Sequence, residues 1–236
     1  MGFTFDSYKR LLQNILDKEY RISDFHNFKN DEKICILRHD VDLSVDSALN
    51  IAELENQMGI TSTYYVLLNT EFYNLQYTPT CDKIKKIINY NHKIGLHFDA
   101  KLYEGADNET LKKALKNEID LLSNITNIKI ESFSIHRPTI SQIESNISID
   151  GIINTYSPKF FKEFKYISDS RMRWRESPED IVNSNKYKQL QILTHPIWYG
   201  EKQKNISEIL KGFLENRAKE TYRNLENNIT DLDSVL

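Results

Sequence analysis

Glycine is scarce in this chain, at 7 of 236 residues, and none of the seven falls in a Gly-x-Gly-x-x-Gly or Walker pattern. A glycine-lined cradle for nucleotide phosphates therefore has no support. Cysteine is scarcer still: Cys35 lies in an apolar run and Cys81 near an expected helix start, which is no disulfide framework. No apolar stretch approaches the ~20 residues that cross a bilayer, so the protein is not expected to span a membrane. The first residues, Met1-Gly2-Phe3-Thr4-Phe5-Asp6, lack a basic n-region and an apolar h-region, and a cytoplasmic location is the expectation. Excess charge of one sign is missing as well. The 31 basic and 34 acidic residues are mixed along the chain and sum to -3, which leaves no electrostatic footprint for nucleic acid.

What is present is an ordinary globular composition, 39% hydrophobic, at a length that suits one domain over residues 1–236. The stretch that organises the chain is Ile34-Cys35-Ile36-Leu37-Arg38-His39-Asp40-Val41-Asp42. An apolar run without alternation reads as a strand buried on both faces, as in a parallel α/β sheet. Along an extended chain Arg38, Asp40 and Asp42 project to one side and His39 to the other. Two carboxylates in one small space call for a cation, a shared proton or the arginine, which points to metal binding or acid–base chemistry. A carboxylate that caps the following helix is the other reading of this segment, and the segment alone leaves the two level.

Around that strand, apolar spacing predicts a flanking helix over 4–19 and another after Ser44, stopped at Gly59. Further helices are expected from Thr80 or Asp82, over Glu109 to Leu122, from Pro178 with Ser177 as its N-cap, and over 202–228. Strands are expected over Thr61 to Leu68, Ile94 to Asp99, Ile128 to Ile135, Gly151 to Tyr156, Tyr166 to Asp169, and Leu190 to His195. This alternation argues for a parallel sheet with helical crossovers, either a (β/α) barrel or an open doubly wound sheet. Four of the six histidines, His39, His97, His136 and His195, fall at strand ends. Barrel active sites gather at the carboxyl ends of the strands, so these imidazoles are expected near Asp40 and Asp42. Carboxylate and imidazole together suit Zn²⁺ or another divalent transition metal.

Arg38-His39-Asp40-Val41-Asp42, Ile94-Gly95-Leu96-His97, His136-Arg137-Pro138, Asp169 with Trp174, and Leu193-Thr194-His195-Pro196 stand in this order over residues 34–198. They resemble the five motifs of the polysaccharide deacetylases, carbohydrate esterase family 4 with the NodB-homology domain. The resemblance implies a single distorted (β/α) barrel of about seven strands and a metal-dependent hydrolase that removes an N-acyl group, acetyl first, from an amino sugar. It places the catalytic base at Asp40, metal ligands at Asp42 and His97, an arginine that holds the base at Arg137, a further catalytic aspartate at Asp169 and the general acid at His195. Trp174 would line the substrate groove, with Arg171 and Trp198 as further substrate contacts. The chain departs from the family at Lys101, where a second ligand histidine is usual, and in its missing glycines. His136 is the expected replacement ligand, ahead of Asp99, because a neutral imidazole keeps one divalent ion, expected to be Zn²⁺, Lewis-acidic. The implied substrate carries an amino sugar, in a polysaccharide or linked to a lipid or nucleotide. Two rival readings are a deformylase or other C–N amide hydrolase of the same superfamily, and a carbohydrate-binding domain with a decayed site.

Overall fold

The computed structural model describes residues 1–139, 143 and 147–232. The chain opens with helix α1 (Phe5–Asp17), capped by the Thr4 side chain, which accepts the Ser7 N–H. Its buried residues Tyr8, Leu11, Leu12 and Ile15 lie at helical spacing and face α2 (Val45–Gln57) and α5 (Pro178–Ser184). The remaining helices are α3 (Thr78–Asn89), α4 (Asn108–Thr126) and α6 (Ile206–Glu226).

The strands are β1 (Arg21–Ser23), β2 (Ile34–Val41), β3 (Thr63–Val66), β4 (Lys93–Phe98), β5 (Ser132–Ile135), β6 (Ile153–Asn154), β7 (Lys165–Ser168) and β8 (Gln189–Thr194). Seven of them form one sheet in the order β6-β5-β4-β3-β2-β8-β7, with β1 beside the start of β2, and every pairing is parallel. The two end strands share no backbone ladder among the described residues. Side chains bridge them instead: Tyr156, just past β6, lies 6.5 Å from Tyr166 of β7, and the Arg38 guanidinium sits 4.7 Å from the Tyr156 ring. The result is the distorted (β/α) barrel that the motifs implied.

Strand β2 is buried along its whole length, which accounts for its lack of alternation. Ile34 and Ile36 pack inside the barrel with Phe25, Tyr65, Phe160 and Phe164, whereas Cys35, Leu37 and Val41 join the larger core under the helices. Tyr65 lies so close over Gly95 that a Cβ there would come within 2.2 Å of its ring, so this glycine serves close packing inside the barrel.

The structure shifts several expected boundaries. Helix α3 begins at Thr78, where Pro79 in the first turn favours helical φ, ahead of the expected caps Thr80 and Asp82. Strand β5 starts at Ser132 because Asn127, left-handed at φ 54, ends α4 and the chain must turn before it can pair. Strand β1 was not anticipated, since three residues show no period. Helix α6 was expected to close the fold, yet none of its residues is buried. Ile206, Leu210 and Leu214 are exposed, whereas Phe213 is partly buried and its ring lies 5.8 Å from that of Phe72, centroid to centroid.

The outer face of β2 carries His39, which turns away from the barrel interior and donates or accepts within a buried knot around Glu55 of α2. Glu55 accepts from the hydroxyls of Tyr8 (2.6 Å), Ser62 (2.6 Å) and Tyr64 (2.7 Å), and His39 Nε2 lies 2.9 Å away. His92 Nδ1 stands 3.7 Å off and accepts the Ser62 backbone N–H, while its Nε2 donates to the Ala52 carbonyl. Burial alone would raise the Glu55 pKa, but His39, His92 and the hydroxyl donors outweigh it and bring it down to about 2. Because the folded pKa lies below the free value of 4.5, this stabilisation is complete above that pH and is lost as pH falls toward 2. Denaturant titrations of the wild type should show a loss between pH 4.5 and 2.5 to which Glu55 contributes on the order of 3 kcal/mol. In Glu55→Gln that part of the pH dependence should vanish; an unchanged pH slope would refute the assignment.

Candidate active site

Three strand ends deliver the groups that meet at the carboxyl rim. Asp42 follows β2, His97 belongs to β4, and His136 follows β5, which pairs directly with β4. His97 Nε2 lies 3.1 Å from Asp42 Oδ1, His136 Nδ1 lies 3.4 Å from the same oxygen, and the two nitrogens are 3.0 Å apart. Ligands at 2.0–2.1 Å from a tetrahedral ion are separated by edges of about 3.3 Å, so this triangle has the size of a ligand face. Two further observations favour that use. Asp42 Oδ1 is buried without a hydrogen-bond partner among the described residues, an arrangement costly unless something else meets its charge. His97 Nδ1 is 2.6 Å from Ser134 Oγ, and with its proton donated there the ring turns the Nε2 lone pair toward Asp42, the tautomer a metal ligand needs. Burial tends to raise the Asp42 pKa, but the imidazoles of His136, His97 and His195 hold the carboxyl well below its usual range. Asp42, His97 and His136 therefore fit a divalent ion, and Asp99, the other candidate for the third position, does not join them. Lys101 is exposed on the turn after β4.

Asp40 lies beside this triangle, 3.7 Å from His97 Nε2, and is 3% exposed. The residue that holds it is Arg38, not Arg137. Arg38 donates from Nε to Oδ1 and from Nη2 to Oδ2, both at 2.8 Å, and is itself fully buried against the rings of Tyr156 and Tyr65. Burial would raise the Asp40 pKa; Arg38, with His97 and His195, lowers it and keeps the carboxylate ionised. Arg137 instead donates to Asp99 Oδ2 at 2.6 Å and is more than half exposed. The reason is local: Asp99 and Arg137 follow adjacent strands β4 and β5, whereas Arg38 and Asp40 lie two apart on one strand face.

His195, at the end of β8, presents Nε2 to the same space, 3.8 Å from Asp42 Oδ2. Behind it Asp169 is fully buried and accepts from the His195 backbone N–H and Nδ1 (2.6 Å) and from the Tyr199 hydroxyl (3.0 Å). Burial lowers the imidazole pKa, but the hydrogen bond and charge of Asp169, with Asp42 and Asp40, raise it to about 9. His39 is the expected imidazole that does not converge, because it points to the opposite face of β2. Trp174 and Trp198 are partly buried against the core, each with an indole N–H that lacks a partner among the described residues. Trp198 lines a groove of about 1160 Å³ that starts at Leu43, next to Asp42, and runs along α6. Arg171 is exposed on the turn after Asp169.

Ser134, Tyr199 and the role of Arg38 were not assigned from the sequence. Strand alternation carried a signal for Ser134, which shares a face with His136, and for Arg38, which shares one with Asp40.

Fold and site together define a (β/α) barrel with a carboxylate–imidazole centre at its carboxyl rim. No family model matches the chain and no curated protein matches it. Solved structures similar to it include a polysaccharide deacetylase from Bacillus cereus, at 16% identity and TM-score 0.48 over 80% of this chain and 89% of that one. A peptidoglycan deacetylase from Bacillus subtilis is similar at 13% identity and TM-score 0.45, over 84% of this chain and 99% of that one. A CE4 family pseudoenzyme from Bacillus anthracis is similar at 12% identity and TM-score 0.43 over 81% of this chain, which spans 63% of that longer chain.

Proposed function

We propose that the protein is a metal-dependent hydrolase that removes an N-acyl group, acetyl first, from an amino sugar. The observation that carries the reading is the convergence of the Asp42–His97–His136 triangle with an ionised, arginine-held Asp40 and an aspartate-backed His195. A divalent ion, with Zn²⁺ the expected one for this donor set, supplies Lewis acidity for the acyl oxygen and the attacking water when bound. Asp40 accepts the proton of that water as it adds to the acyl carbon. Arg38 occupies one lone pair on each Asp40 oxygen, which keeps the carboxylate anionic and fixed while its other lone pairs stay open to the water. His195 donates from Nε2 to the amine nitrogen as the C–N bond breaks, and Asp169 with Tyr199 fixes the ring so that Nε2 faces the reacting groups. The products are a free amino sugar and the carboxylic acid.

Acetate release from a panel of N-acetylated sugars, after reconstitution with Zn²⁺ or Co²⁺, tests the reading directly. Release of formate from N-formylated sugars, with no acetate from the N-acetylated panel, would move the protein to the amide-hydrolase alternative, and a bound sugar that is never cleaved would leave only a binding domain. His195→Ala should lower amide hydrolysis ~10²–10⁴-fold. It should cost far less on an activated aryl acetate, whose leaving group needs no proton. Equal losses on both substrates would remove His195 from the role of acid.

A further inference from the structure

We propose that Arg171, Arg173 and Arg175 form an anion-binding strip beside the site and that the substrate is a phosphate-bearing amino sugar; the second half of this inference rests on the hydrolase reading above. The strip begins where β7 hands over Asp169, the partner of His195. Arg171 is two residues further on, so its Cα lies within ~7 Å of that of Asp169. A guanidinium on its flexible stem can then reach the mouth where His195 faces Asp42.

The backbone there is unusual. Arg171 and Met172 both adopt left-handed φ, 59 and 55, which costs of order 1–3 kcal/mol for each residue with a Cβ and persists only where surroundings hold it. Arg173 then returns to extended geometry, φ -141 and ψ 118. Side chains alternate as a result: Met172 and Trp174 pack against the core, and Arg171, Arg173 and Arg175 are exposed. Two apolar pegs thus hold three cations on one side of a short segment.

Neutralisation by the protein itself does not explain these cations. None of the three arginines has an ion-pair partner among the described residues, and the acid next in sequence, Glu176, is taken by Lys165 at 2.5 Å. The carboxylates of the site are already served, Asp40 by Arg38, Asp169 by His195 and Asp99 by Arg137. The surplus positive charge faces outward, where a neutral glycan would gain little from it. Guanidinium forks match phosphate oxygens two at a time, and three of them within five residues suit a doubly charged group better than a single carboxylate.

The test compares N-acetylglucosamine with its 1-phosphate, a nucleoside-diphosphate-linked form and an N-acetylated uronic acid, in the wild type and in Arg173→Ser/Arg175→Ser. Loss of a charge-assisted contact should raise KM for the phosphate-bearing sugars roughly 10-fold for each arginine, with kcat and the neutral sugar little changed. Calorimetric binding of inorganic pyrophosphate to both proteins, before and after added salt, reads the strip without any turnover. Pyrophosphate that binds both proteins equally, or a variant that affects neutral and phosphorylated sugars alike, overturns the proposal. Preference for the uronic acid over the 1-phosphate overturns the phosphate assignment. Arginine-dependent pyrophosphate binding with no hydrolysis of any sugar upholds the strip and removes the hydrolase reading. Preference for the nucleoside-diphosphate form over the 1-phosphate, or the reverse, identifies the source of the phosphate.

Discussion

Arg38→Met should abolish most of the hydrolytic activity and destabilise the fold by about 3–5 kcal/mol, the cost of leaving one partner of a buried ion pair without the other. Asp40 is 3% exposed and its two oxygens meet Arg38 at 2.8 Å each, so no solvent stands ready to replace the guanidinium. Asp40→Asn should lower the rate ~10²–10⁴-fold by removing the proton acceptor, and it too should lower stability because the Arg38 charge is then uncompensated. The double variant Arg38→Met/Asp40→Asn provides the decisive comparison. It should be more stable than the sum of the single losses predicts, by one to a few kcal/mol of coupling, as about 0.5–3 kcal/mol is usual for groups in direct contact. Additive losses in chemical denaturation would show that the pair is not coupled. Arg137→Met, by contrast, should leave both stability and the ionisation of Asp40 nearly unchanged, since its partner is Asp99.

His136→Ala should strip the protein of its divalent ion. With three protein ligands at distances of 3.0–3.4 Å from one another, loss of one leaves a two-ligand site. Dialysis against a weak chelator followed by elemental analysis should find one ion per wild-type chain and a small fraction of that in His136→Ala, His97→Ala and Asp42→Ala. Asp99→Asn should retain the ion, because its carboxylate is engaged by Arg137 and lies outside the triangle. A His136→Ala protein with full metal content would return the third position to Asp99 or to water. Ser134→Ala should weaken metal affinity ~10–100-fold, since it frees the His97 ring to change tautomer.

Much of this arrangement was legible before the structure, and the reasons differ by element. β2 was readable because a strand covered on both faces cannot alternate, and its polar end announced the rim. His97, His136 and His195 were readable because each falls at the end of an expected strand, the point where a barrel opens to solvent. The partner of Asp40 is not contained in motif order, which points to Arg137; strand geometry carries it, because Arg38 stands two residues away on the same face. Arg137 could be placed only with knowledge that β4 and β5 are neighbours, which sequence spacing does not contain. Glu55 looked like one more polar residue on an amphipathic helix; its burial follows from five groups on four separate segments, none of which is marked locally. Helix α6 shows the converse failure, as apolar spacing predicted a buried face, and the body of the protein covers it only in part, at Ile209 and Phe213, and buries none of it fully.

The alternation of β2 also has a consequence for how the chain finds its pairing. A slip of one residue against β3 and β8 would send Arg38 and Asp40 out among the helices and His39 into the barrel. Glu55 would then lose its imidazole and face buried charge, while the rim would lose its base. Mispaired states are thus penalised on both sides of the same strand, so the residues that are expected to do chemistry also act as the registration marks by which the central strand is set.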